Sequence, residues 1–434
     1  MSETYGTTDP VGNSVSVAQG GTIAVSAAFE TTVGLVGNYD ASNGTATAGE
    51  VATVESSPEA GTAFGAGSEL KEQADLAFNN GASIVYAVPV TETSETETFS
   101  ATQSATLANA PAFDPRVNDE HSIDITDTTE ATSVDVQYSD VSPPTTPTEA
   151  NTANVNPSTG EVEFDESSDY EVTYEYGDYE SAISTVAAKV PRSLGVCTES
   201  TSVSNDLLTT LNTYDTDFDF MHGYVGENVD LDDLQNYDQS FNDRRLVAIS
   251  AARGYTDEAE TNEVRTVGAV AGKQAGKPLG DSTTAESLQG FASLKQSPTN
   301  SEAGTLIDNG VYPLQQAGGI KVVKDTTTSD TEKFSRVAWS EIVDEVAEIS
   351  HQISSPYVGD ANTGENRLLL AESHRSSLRE LQDDDLLDAF YVRVSEGASA
   401  NEVDLELGID VVDYMDKIDV DITVGDVVLN GGAS

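Results

Sequence analysis

The residues of this chain best suited to nucleophilic, general-base or metal chemistry are four histidines, His121, His222, His351 and His374, and one cysteine, Cys197. The histidines lie in unrelated contexts, and no pair stands at metal-ligand spacing. Cys197 closes the run Leu194-Gly195-Val196-Cys197, which reads as a buried strand, so the thiol is expected to be a small core side chain; a lone cysteine makes no internal disulfide. The stretch from Gly268 to Pro278 resembles a phosphate loop at Gly276-Lys277. However, Ala271 stands where the first glycine belongs, and Pro278 replaces the magnesium-binding hydroxyl, so a flexible turn after a strand is expected. Gly65-Ala66-Gly67-Ser68 opens a helix without the third glycine of a dinucleotide fingerprint, and Asp383-Asp384-Asp385 reads as a solvated turn at a helix junction. The sequence thus predicts no catalytic residue, no metal ligand and no cofactor.

One local charge signal remains. Arg367, His374, Arg375 and Arg379 gather on one predicted helix in an otherwise acidic chain, and spacings of eight and four set the three arginines within one sector of its face. They are candidates to face a partner. The alternative is pairing with Glu372, Glu380 or Asp383 of the same subunit, and such exposed pairs contribute only about 0 to 1 kcal/mol.

The elements that would carry these residues follow from periodicity. Alternating strands and helices from residue 31 to 91 and again from 176 to 304 predict an α/β domain. Within it, Ser68 begins a helix that stops at Asn79-Asn80-Gly81. Residues 92–175 turn to Thr, Ser, Glu and Pro but keep short alternating strands such as Tyr170-Val172-Tyr174-Tyr176, which predicts an inserted β domain. Residues 305–415 hold two helices, one with Trp339, Ile342, Val343, Val346, Ile349 and Ile353 on a face and one from Asn366 to Leu381, followed by two strands. Both chain ends alternate apolar and polar positions: Val15, Val17, Ile23 and Val25 in an arm over residues 1–30, and Ile418, Val420, Ile422 and Val424 in the segment 416–434. A strand at a free end needs a partner edge. The fold class expected is α/β plus β, multidomain, with terminal strands to be exchanged between subunits.

Composition sets the setting. The 434 residues carry a formal charge of −55, from 75 acidic and 20 basic side chains. Such self-repulsion is tolerable where molar salt shortens the Debye length to about 3 Å, so the charge points to an extreme-halophile habitat. With 37% hydrophobic residues in periodic array the chain is not disordered. Acidity disfavours nucleic acid, since the only adjacent cationic pair is Arg244-Arg245. No leader pattern precedes the first strands and no run approaches the length of a membrane span, so cytoplasmic assembly without membrane insertion is expected.

The order of segments resembles the tail sheath proteins of contractile phages and related injection machines. Three stretches carry the likeness. The first is Leu35-Val36-Gly37, then Phe64-Gly65, the helix from Glu69 to Phe78, and Asn79 to Val90. The second is Leu306 to Leu314, then Gly319 to Thr328, the helix around Trp339, Leu378 to Leu381, and Tyr391-Val392-Arg393-Val394. The third is Val162 to Phe164 with Tyr170 to Tyr179, similar to the exit of an inserted domain in some sheaths and foreign to tube proteins. The paired arginines that many sheaths carry in the helix after the Thr-Thr stretch are missing, because Ser340 to Ile349 is acidic.

The resemblance implies a non-enzymatic subunit that polymerises around a tail tube in the host cytoplasm and contracts without nucleotide hydrolysis. Its partners would be identical subunits, the tube protein, baseplate proteins and neck or terminator proteins. It implies an inner domain drawn from both chain ends and interlocking terminal strands; it does not transfer the family's tube contacts, so the tube-facing candidates are Arg367, His374, Arg375 and Arg379, read from their charge and spacing. A halophilic surface or adhesion protein and an α/β enzyme with a dispersed site are the alternatives.

Overall fold

The computed structural model describes residues 31–414 except 117–120, 141, 217, 228, 235, 236, 238 and 400. The predicted terminal strands, with Val15, Val17, Ile23 and Val25 at one end and Ile418, Val420, Ile422 and Val424 at the other, lie outside the described residues.

The first part of the body runs β1 (Thr32–Gly37), β2 (Ala52–Val54), α1 (Ser57–Phe64), α2 (Glu69–Asn79) and β3 (Ile84–Pro89). Ser68 caps α2 by accepting the Lys71 amide at 3.4 Å, leaving one fewer orphan donor in the first turn. The chain then makes β4 (Glu92–Thr106), β5 (Asp124–Asp127), β6 (Thr132–Tyr138), β7 (Thr152–Asn156) and β8 (Glu161–Gly177). β4 and β8 pair along most of their length, and β7 pairs with both β6 and the start of β8. The sheet therefore curls around a core that includes Ile125, Val155, Phe164, Val172 and Tyr174. Alternation along β8 supplies that core: Val162, Phe164, Tyr170, Val172 and Tyr174 are buried while their neighbours face out.

The body resumes with α3 (Tyr179–Ala187), β9 (Ser193–Val196), α4 (Thr201–Asp215), β10 (His222–Gly226), β11 (Leu246–Ile249), β12 (Arg253–Tyr255), β13 (Glu263–Arg265), α5 (Val267–Ala275), β14 (Ser287–Leu288), β15 (Ser293–Leu294), α6 (Asn300–Asp308), β16 (Val311–Tyr312), β17 (Leu314–Gln316) and β18 (Ile320–Val322). Its main sheet has the order β16-β11-β10-β9-β1-β3-β2, parallel except where β2 meets β3. Helices cover both faces, so β1 and β9 to β11 are buried throughout, as expected of a parallel sheet. Val33, Leu35 and Ile249 face α2 and α5, whereas Val36, Val196 and Ala248 face α3 and α4.

Two sequence expectations are corrected here. The stretch from Gly268 is a buried helix, α5, and not a flexible turn. A Cβ on Gly268 would lie 2.3 Å from the Gln73 carbonyl oxygen, and one on Gly272 would lie 2.4 Å from that of Ala77, so glycine every fourth residue lets α5 touch the backbone of α2. The expected boundary at 305 cuts through the body: Val311–Tyr312 forms the edge strand of the main sheet, and Ile320–Val322 pairs with both Ser287–Leu288 and Leu314–Gln316.

The C-terminal unit is α7 (Val337–Ser354), α8 (Gly364–Asp383), β19 (Leu387–Glu396) and β20 (Val403–Val411). Ile342, Val346, Ile349 and Ile353 recur on one face of α7 and pack with Leu370, Leu378 and Leu381 of α8. β19 and β20 make a two-stranded hairpin whose outer edges pair with no other strand among the described residues.

Candidate functional site at the two edges of the main sheet

In an open α/β sheet the ligand crevice lies beyond the carboxyl ends of the strands, where successive connections depart in opposite directions. Here that place is the end of β1 between β3 and β9, and it is filled. Arg253 sits in it almost without exposure, donating to both oxygens of Glu199 at 2.9 and 2.5 Å and to Glu263 at 2.9 Å. It also pairs with Asp114 of the β4–β8 unit at 2.7 Å. Arg265 donates to Glu199 at 3.1 Å and pairs with Glu69, whose other oxygen accepts the Asn38 amide at 3.0 Å. Arg116 bridges Asp114 and Asp140 at 2.7 and 2.6 Å, and Lys295 bridges Asp140 and Glu263 at 2.9 Å each.

Burial alone would raise the Asp114 carboxyl, but Arg253 and Arg116 overcome it and hold it well below the usual range. Burial pushes Arg265 down to about 9, which leaves it cationic at neutral pH. The cavity remaining among Asn38, Glu69, Asp114, Ser158, Thr198 and Arg265 is about 10 Å³, space for one water. A substrate finds no room there. The side chains that would line an active site are instead spent joining the β4–β8 unit to the body.

The amino edge of the same sheet carries the second joint, made with α7. Arg192, just before β9, grips Glu341 through two hydrogen bonds of 3.1 and 2.9 Å and also donates to the carbonyls of Ala275 and Lys277. Arg244 and Arg245, just before β11, converge on one oxygen of Asp344 at 2.6 and 2.8 Å, and Arg245 reaches Asp215 at 2.5 Å. Burial would raise Asp344, but the two arginines more than offset it and its pKa is lowered. At Glu341 burial prevails over Arg192, and its pKa is raised. Burial drives His222 down to about 3, so it stays neutral beside these arginines.

The predicted cationic face divides. His374 is a correction: it is 1% exposed, locked between α8 and α7 with Nδ1 on the Leu370 carbonyl at 2.9 Å and Nε2 on the Ser350 hydroxyl at 3.1 Å, so it presents nothing to a partner. Arg367 is half-buried and holds Asn362 at 2.5 Å and Glu396 at 2.9 Å. Arg375 pairs with Glu372 at 2.6 Å and with the Val392 carbonyl at 3.1 Å, while Arg379 is exposed. Beside them Leu368 and Leu369 are exposed, and a groove of about 280 Å³ lies between Val358, Asn362, Arg367, Leu370, Val403 and Leu405.

Sequence reading missed both joints. The adjacent Arg244-Arg245 was visible, but Arg192, Arg253 and Arg265 stand alone in sequence and have carboxylate partners far along the chain, Glu341 lying 149 residues from Arg192. The one available signal was scarcity: with so few cations, an arginine at the end of a buried strand is a candidate for a buried pair.

Among the described residues no group of histidine, cysteine or carboxylates could hold a metal, and no helix is long and apolar enough to cross a membrane. No protein-family model and no curated protein matches the chain. Solved structures do. The chain is similar to a sheath tail protein of Listeria innocua, with a TM-score of 0.54 and 15% identity over 88% of this chain and 92% of that one. It is also similar to the helical sheath of the anti-feeding prophage in its contracted state, with a TM-score of 0.56 and 12% identity over 96% and 99%. A sheath tail protein of Desulfitobacterium hafniense gives 0.54 and 11% over 92% and 100%. The fold is therefore the multidomain sheath-protein fold, with mixed α/β content and several sheets.

Proposed function

We propose that this chain is a structural subunit of a contractile sheath, of a virus tail or of an injection apparatus, that polymerises around a tube and shortens to drive it through an envelope. The observation that carries this is the fold likeness, which spans nearly the whole of this chain and of the sheath proteins together. A crevice occupied by Arg253 and its carboxylates supports a structural reading over an enzymatic one. The β19–β20 hairpin supports polymerisation, since a two-stranded ribbon is marginal alone and its open edges are templates for added strands. The terminal segments around Val15, Val17, Ile23 and Val25 and around Ile418, Val420, Ile422 and Val424 are the proposed donors.

Contraction in this reading needs no nucleotide, because a packing difference of even a few kcal/mol per subunit sums along the lattice. The two ion-paired joints would let each subunit turn as one body. Arg379, with Arg367 and Arg375, is the proposed contact to an acidic tube, weak enough in salt to release. Baseplate and neck proteins would cap the two ends, and a charge of −55 suits assembly in a halophile's cytoplasm.

The test is negative-stain electron microscopy of the protein in molar KCl, intact and lacking residues 416–434, each with and without its tube protein. Tubes or stacked rings that vanish on truncation are expected. Monomers in every sample would overturn the proposal.

A further inference from the structure

The end of the described chain does not simply trail from the hairpin. After β20 the Val412 amide bonds to the Leu386 carbonyl at 3.2 Å, and the Val412 carbonyl accepts from the indole Nε1 of Trp339 at 3.1 Å. Two residues on, the Tyr414 hydroxyl reaches the Gly280 carbonyl in the body. The Tyr414 ring lies nearly parallel to Trp339, with centroids 6.3 Å apart and planes 23° apart. The Arg336 guanidinium stands 5.2 Å from the Trp339 ring and 5.3 Å from that of Tyr414, and it is fixed by Asp325 at 3.0 Å. Arg336 and Asp325 are both buried.

This is more contact than a chain end needs to stay folded. The Trp339 and Gly280 bonds tie residues 412–414 to the start of α7 and to the body, and only the Leu386 bond ties them to the hairpin's root. A buried guanidinium set against two neighbouring aromatic rings is a stiff and well-desolvated contact, and it weakens less in salt than an exposed ion pair.

We propose that Trp339, Arg336 and Tyr414 form a clamp that fixes the position and direction of the chain where it passes Tyr414. A pull on the chain at Tyr414 then passes to Trp339, Arg336 and Asp325, and so into the body, instead of peeling β20 from β19. Trp339, Arg336 and Tyr414 are positioning residues for the inter-subunit joint, and this role rests on the sheath reading; the clamp itself does not.

Trp339 is the single tryptophan of the chain, so its emission reports the clamp directly. The experiment compares the full chain with Tyr414→Ala, Tyr414→Phe and a chain ending at residue 415, in molar KCl. Tyr414→Ala is expected to shift Trp339 emission to the red, to raise amide exchange at Val412 at least tenfold, and to leave the melting transition of the body in place. Its polymers are expected to be at least fivefold fewer or to lose a regular repeat, with Tyr414→Phe between it and the wild type. The chain ending at 415 is expected to keep the wild-type emission and to lose polymers. Unchanged emission and exchange in Tyr414→Ala would overturn the clamp. Changed emission with wild-type polymers would overturn its positioning role. If the wild-type chain itself forms no polymers with its tube protein, the sheath reading fails, and emission and exchange alone decide whether the clamp exists.

Discussion

The carboxyl and amino edges of the main sheet solve the same problem with different completeness. At the carboxyl edge Glu199 receives hydrogen bonds from both Arg253 and Arg265, and Arg253 is shared with Asp114 and Glu263, so Asp114, Glu199 and Glu263 each meet two cations, while Glu69 meets Arg265 alone. At the amino edge Asp344 takes Arg244 and Arg245 on a single oxygen; its second oxygen, His222 Nε2 and Gln274 Oε1 have no hydrogen-bond partner among the described residues. Buried pairs offset their desolvation only when the remaining lone pairs and protons are met. The β4–β8 joint is thus the better satisfied of the two, and the α7 joint holds its charges at greater cost.

The largest effect should come from opening the carboxyl edge. Arg253→Met strips Asp114, Glu199 and Glu263 of their shared cation and is expected to cost about 4 to 5 kcal/mol in denaturant titration in molar KCl. Asp344→Ala should cost less, about 3 kcal/mol, because Asp215 remains with Arg245. The reverse ranking would break the comparison. A seam without charge calibrates both: Gly272→Ala drives a Cβ against the Ala77 carbonyl and is expected to cost about 1 to 3 kcal/mol, with little dependence on salt.

Glu227, which follows β10 at the carboxyl edge, tests the sign of the electrostatics. Burial raises its carboxyl to about 7 against a hydrogen bond from Tyr237. A raised folded-state pKa adds stability that is complete below the ordinary carboxylate value and is lost as pH rises through about 7. Glu227→Gln should therefore stabilise the chain by about 1 to 2 kcal/mol at pH 8 and change little near pH 4.5, read from thermal unfolding at the two pH values. Asp114 runs the other way: its lowered pKa gives stability present above the ordinary carboxylate value and lost as pH falls through the folded one. The smallest effect is expected at Arg393→Ala on the hairpin, whose 3.6 Å pair with Glu406 is mostly exposed; under about 0.5 kcal/mol should be lost.

The contrast between edge and surface also explains what could be read early. The helix from Ser68, the alternating strands of β8 and the apolar face of α7 were legible because periodicity and capping are local. Cys197 reads as a core residue from its neighbours and is fully buried. The helix at Gly268 was misread because glycine argues for a turn in isolation, and only the backbone of α2 at contact distance makes it favourable. His374 sits on the predicted helix but turns inward, since the serines of α7 that receive it lie 20 and 24 residues earlier in the chain.

By itself the sequence determined the layered α/β architecture with a β insertion, the apolar faces and the acidic exterior, because each follows from residue type and repeat over a few turns or strands. The tertiary structure alone decided where the few arginines go. Their partners are set by which strand ends and helices meet, and burial then decides that Arg192, Arg244, Arg245, Arg253 and Arg265 hold the units together, while Arg379 is left to the solvent.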